Sequence, residues 1–163
     1  SPTRAIFLGG AKAENATGVF NTIQYVTIAT TGNGIDFGDL TRARDFGGAF
    51  SNSVRGVLGG GDTETPATSN PTNTVDYITI TSLGNALYFG DLTSSKERFN
   101  GCCNSTRGIF GGGLLGPPTP TTRINTIDYV TIASTGNATT FGVLTATRME
   151  AGACSDAHGG LGD

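Results

Sequence analysis

One phrase occurs three times in this chain, and that repetition limits what it can fold into more than any single residue does. Tyr25, Tyr77 and Tyr129 stand 52 residues apart, as do Phe37, Phe89 and Phe141, and Leu40, Leu92 and Leu144. Between them runs Asn-Thr-hydrophobic-acid/amide-Tyr-hydrophobic-Thr-Ile, then a Gly-Asn turn, then Phe-Gly and Leu-Thr. Self-similarity at a fixed period of this size marks a repeat architecture. The repeats read as 3–53, 54–105 and 106–157 within one domain, 1–163, with 158–163 as the start of a fourth repeat or a closing stub.

Each unit opens on a short apolar stretch ending in glycines: Thr3 to Gly10, Val54 to Gly61, Thr106 to Gly113. A Thr-, Pro- and Asn-rich segment follows (11–20, 62–72, 114–124). It carries the only length change between copies, which marks it as a loop. Asn21 to Ile28, Asn73 to Ile80 and Asn125 to Ile132 are rich in β-branched and aromatic residues and read as strands. They are apolar or Thr on both faces, so both faces need cover. Thr31-Gly32-Asn33, Leu83-Gly84-Asn85 and Thr135-Gly136-Asn137 read as hairpin turns, where Gly and Asn accept positive φ. A third strand runs to Leu40, Leu92 and Leu144. After a charged connector comes a strand of small residues: 47–53, 99–105, 151–157.

Four short antiparallel strands per unit, with both faces needing neighbours, predict an all-β fold, a β-propeller with one blade per repeat. The small-residue strand suits the innermost position. With strands lettered A to D from the axis outward, the chain begins on a B strand and ends on an A strand. Three blades fall short of the usual roughly four to eight. The expectation is a homo-oligomer, a dimer closing one six-bladed ring with strand exchange at its two seams. The alternative is a piece of a longer array.

The glycine pair Gly60-Gly61, then Tyr77, Phe89, Leu92 and Lys96, resembles the kelch repeat, with Phe where kelch usually has Trp. The wording of residues 125 to 138 is similar to kelch-like repeat proteins of marine and cyanobacterial phages. That resemblance implies a virion or tail-associated protein and a virion or extracellular location, within a larger virion assembly.

Composition narrows the function. Charged residues are 14% of the chain and the net charge is −3, which disfavours a nucleic-acid partner, since phosphate binding needs clustered cations. No apolar run reaches the roughly 18 residues of a membrane span. The glycine runs 59–61 and 111–113 lack the Lys-Ser/Thr of a phosphate loop. His158, the single histidine, has no evident orienting acid or nucleophile. One histidine cannot furnish a copper site, and Asp39 and Asp91 become Val143 in the third copy, which argues against a repeated calcium site. Cys102, Cys103 and Cys154 lack zinc spacing and read as small core residues. The sequons at Asn15, Asn104 and Asn137 read as chance in so Asn- and Thr-rich a chain. No cofactor, metal or enzymatic activity is expected.

What remains is a structural and binding module. Strand alternation brings the B–C loops and the D–A connectors to one face, the usual place for recognition on a rigid scaffold. The candidate ligand residues are Arg42, Arg44, Asp62, Glu64, Lys96, Arg98, Arg123 and Arg148, for a surface glycan or a partner protein. Arg4, Arg55 and Arg107 recur too, as do Arg44, Lys96 and Arg148, and both sets also suit bridges between blades. A free lectin-like propeller is the second reading. A hydrolase or oxidase on the same scaffold is the third.

Overall fold

The computed structural model describes residues 3–12, 18–63, 69–116 and 122–155. Glu64, His158 and the whole 158–163 segment lie outside them. The described residues form antiparallel β-sheets and contain no helix. Sheet I has the order β1-β2-β3, from β1 (Arg4–Ala11), β2 (Val19–Thr27) and β3 (Ile35–Asp39). Sheet II is β4-β5-β6-β7, from β4 (Gly48–Ser51), β5 (Arg55–Gly59), β6 (Thr74–Thr79) and β7 (Leu87–Asp91). In sheet III, β8 (Asn100–Cys103) pairs β9 (Arg107–Gly111), which pairs β12 (Thr126–Thr131), which pairs β13 (Thr139–Val143). A small hairpin, β10 (Leu114–Leu115) and β11 (Thr122–Arg123), sits in the loop between β9 and β12.

The outer strands β3, β7 and β13 each carry one extra residue opposite Ile23/Gln24, Val75/Asp76 and Ile127/Asp128 of the strand they pair with. Such bulges twist the strand. The expected small-residue strands appear as β4 and β8. The third, 151–155, is described without strand pairing. It does lie along β8: Ser155 Oγ donates to Cys103 O at 2.7 Å, and Asn100 Nδ2 to Ala151 O. Among the three cysteines only Cys103 is buried; Cys102 is half-buried and Cys154 exposed, all as free thiols.

Consecutive sheets are joined by one set of contacts, used twice. Between I and II, Ile23, Phe37 and Leu40 form a core with Leu58, Ile78 and Ala86. Between II and III, Val57, Val75, Phe89 and Leu92 meet Phe110, Val130 and Ile132. Inside each joint lies an ion pair. Arg44 Nη2 stands 2.9 Å from Asp76 Oδ2, and Lys96 Nζ stands 3.0 Å from Asp128 Oδ2, all four side chains essentially solvent-free. Thr41 and Thr93 hydroxyls donate to the same carboxylates at 2.7 and 2.6 Å. The Arg4 and Arg55 guanidiniums lie over Tyr25 and Tyr77 and donate to Ile80 O and Ile132 O, both at 2.7 Å.

The Gly-Asn motif does more than reverse the chain. Gly84 N donates to Phe37 O at 2.8 Å and Ala86 N to Asp39 O at 2.7 Å, while Asn85 Oδ1 accepts from Asp39 N. Gly136, Ala138 and Asn137 repeat these bonds on Phe89 and Asp91. The turn is a clip that pairs the outer strand's free backbone with the next sheet. Because the clip uses only main-chain atoms of residue 39 or 91, Val143 at the third position keeps the same capacity.

Candidate functional site

The connectors after β3 and β7 and the loops before β6 and β12 are bonded to one another on a single face. Asp45 and Asp62 exchange two backbone bonds of 3.0 and 2.9 Å, as do Glu97 and Leu114. Gly10, Gly61 and Gly113 donate to the carbonyls of Arg44, Lys96 and Arg148. Gly61 has φ +100, and a Cβ there would overlap the Asp45 carbonyl, so the glycine pair is what lets loop and connector approach.

Three non-glycine residues take left-handed backbone at equivalent places in the three connectors: Phe46, Arg98 and Glu150, with φ 49, 55 and 55. They form a row. Arg98 N donates to Phe46 O at 2.8 Å and Glu150 N to Arg98 O at 2.7 Å. Above that backbone, the Arg98 guanidinium lies over the Phe46 ring at 4.4 Å and Nη1 donates to Glu150 Oε1 at 2.8 Å. Non-glycine residues in this conformation are uncommon and gather at functional places. Phe46 remains 42% exposed, so a ring edge and a carboxylate are open to solvent beside a fixed guanidinium.

Beneath the row are three buried carboxylates: Asp45, Asp62 and Glu97. Asp62 Oδ1 accepts from Asn70 N at 2.9 Å and Glu97 Oε1 from Ser69 Oγ at 3.3 Å, which ties the loop to the connectors. Burial, reinforced by Asp62, raises Asp45 to about 6 and also pushes Glu97 upward; Arg98 pulls both the other way. Among the described residues, no group of three or more His, Cys, Asp or Glu is arranged to hold a metal ion.

A pH dependence follows. A carboxyl whose folded value lies above its unfolded one stabilises the fold most when protonated, and that stability is lost as the pH rises toward and through 6. Asp45→Asn is therefore expected to raise the melting temperature at pH 7. Between pH 5 and 7 its stability should also vary less than that of the parent. Thermal melts at both pH values decide it; a variant less stable at pH 7, with the parent's slope, contradicts the assignment.

Of the eight residues singled out from sequence, the seven that are described are divided between buried positions and the surface. Arg44 and Lys96 are buried in the joints, where burial lowers both from their ordinary values and Asp76 and Asp128 oppose the shift. Their cationic heads are beyond a ligand's reach. Asp62 is buried under the loop. Arg98 stands in the row, Arg123 is exposed on β11, and Arg42 and Arg148 are exposed on connectors. Arg148 differs from Arg44 and Lys96 in being exposed, with no buried carboxylate against it among the described residues. Sequence reasoning passed over Phe46, Asp45 and Glu150. Phe46 and Glu150 share the 52-residue spacing of Arg98, but the residue types differ.

No protein-family model matches the chain, and no curated protein matches it. Among the described residues no helix is long and apolar enough to cross a membrane.

Proposed function

We propose that this chain is a non-enzymatic display and recognition module, a kelch-like β-propeller whose three sheets are blades and whose ring is completed to six by a second copy. In this reading it is a virion- or tail-associated adhesion protein that holds its loop-and-connector face toward a surface glycan or a partner protein. One observation carries it: rigid joints with buried ion pairs support a single face on which loops and connectors are bonded together, and that face exposes Phe46 beside Arg98 and Glu150. An aromatic edge next to a guanidinium and a carboxylate is the contact set of a sugar or a polar peptide. The loops themselves have almost no aromatics. The connector provides one.

The same row favours the lectin-like alternative, which differs only in whether the protein travels with a particle. Immobilised bacterial surface polysaccharides are the first probe. The parent should be retained on at least one, and Phe46→Ala should weaken that retention about tenfold, or roughly 1.4 kcal/mol. No retention on any polysaccharide, or retention indifferent to Phe46, ends the glycan reading. Antibody labelling of virus particles from the source that encodes the chain separates the virion-bound from the free form.

A further inference from the structure

Among the described residues, sheets I and III each present one uncovered half of the joint already described. On sheet III the positions of Phe37 and Phe89, which are 3% and 2% exposed, are taken by Phe141 at 56%. Val143 is exposed as well. Beside them is an open cavity of about 190 Å3, lined by Ile109, Gly111, Ile127, Leu144 and Arg148. On sheet I the positions of the buried Leu58 and Phe110 are taken by Phe7, 59% exposed, and that of the buried Ile80 and Ile132 by Ile28.

The residues that interlock in the finished joints are matched in size. Between II and III the incoming side chain is Phe110, and it meets Gly59, where a Cβ would stand 2.9 Å from the ring. Between I and II the incoming side chain is the smaller Leu58, and the position of Gly59 is held by Leu8, which packs on that cluster. At the open end the position is Gly111, whose absent Cβ has no neighbour nearer than 3.9 Å. The free knob is Phe7. A phenylalanine is thus paired with a glycine hole, as in the larger of the two internal joints.

We infer that a second copy of this chain docks head-to-tail on the first, its Phe7 filling the Gly111 cavity. This rests on the propeller reading above and names its partner. The rest of the surface agrees. The clip residues Gly32, Asn33 and Gly34 of the second copy correspond to Gly84, Asn85 and Ala86, and they face the free backbone of Phe141 and Val143. Extending the registers of β4 with β5 and β8 with β9 places Gly152, Ala153, Cys154 and Ser155 opposite Leu8, Phe7, Ile6 and Ala5, supplying an inner strand beside β1, where the described residues have none. The position of Asp76 and Asp128 is Gln24 in sheet I. Arg148 and Thr145 therefore meet an amide, so the seam lacks the buried carboxylate of the internal joints. A head-to-tail contact made twice closes a ring.

Light scattering on a size-exclusion column, across a wide concentration range and without ligand, tests this. The parent should have twice the 16.6 kDa chain mass. Gly111→Leu fills the hole without strain inside its own chain and should weaken the dimer at least about tenfold. Phe7→Leu in that background rebuilds the leucine-on-leucine contact of the I/II joint and should restore most of the loss. A parent of single-chain mass, a mass other than two chains, or a dimer indifferent to Gly111→Leu overturns the proposal. Circular dichroism confirms that each variant is folded. Since no ligand is involved, a monomer leaves loop-face binding to be judged on its own, and a dimer that binds no polysaccharide leaves the seam standing.

Discussion

Asp128→Ala is expected to cost about 3–5 kcal/mol, among the largest losses available from one side chain here. Lys96 is fully buried with its ammonium 3.0 Å from the Asp128 carboxylate. Deleting the acid leaves a cation in an apolar joint, next to Phe99, and deprives Thr93 of its acceptor at 2.6 Å. Thr93 is exposed and can turn its hydroxyl to water, but the wholly buried Lys96 ammonium cannot reach it. The cost comes from the orphaned charge more than from any attraction lost, so Lys96→Met added to Asp128→Ala should recover most of it. Urea unfolding followed by circular dichroism measures both. A single-variant loss below about 1 kcal/mol, or a double variant no better than the single, would show that the charge escapes to solvent.

Gly38→Val should be nearly as damaging, by about 4 kcal/mol, from strain and overpacking together. Gly38 has φ +147, and a Cβ on it would overlap the Gly84 carbonyl and lie 2.9 Å from Asn85 N. Those are main-chain atoms of the clip, held by bonds to Phe37 O and Asp39 N and O, and they cannot rotate aside. Gly84→Ala is the control. Its φ is also +147, but its Cβ would meet nothing within 4 Å, so only backbone strain of about 1–3 kcal/mol applies. Equal losses for the two variants in thermal melts would mean that the close approach between sheets contributes nothing.

The strands could be read from the sequence because each carries its own signal: the β-branched and aromatic run around Tyr25, Tyr77 and Tyr129, and the glycines that end β5 and β9. What joins the strands could not be read in the same way. Whether Arg44 points into the joint or out to a ligand depends on Asp76, 32 residues away on another sheet, and a local pattern carries no such information. The Gly-Asn motif looked like a turn because its chemistry suits one; its bonds to a neighbouring sheet have no sequence mark. The row at 46, 98 and 150 was hidden because a left-handed backbone usually announces itself as Gly or Asn, and here it falls on Phe, Arg and Glu. The β10–β11 hairpin lies in a segment whose Pro and Thr content reads as loop. The third small-residue strand was legible as sequence, but a strand also needs a partner edge, and for 151–155 the described residues provide none.

The repeated joint bears on how such a chain can change its length. Among the described residues the joints run from one unit to the next, so stability is a sum over neighbours. The outgoing half of a joint and the incoming half are both encoded within 52 consecutive residues. Copying that stretch in tandem would add one sheet and one finished joint, with no contact of a new kind. Deleting it would remove the same. Only the size match between knob and hole would record which units had been neighbours before, and a leucine or a glycine at the position of Gly59 would be enough to tell an old joint from a new one.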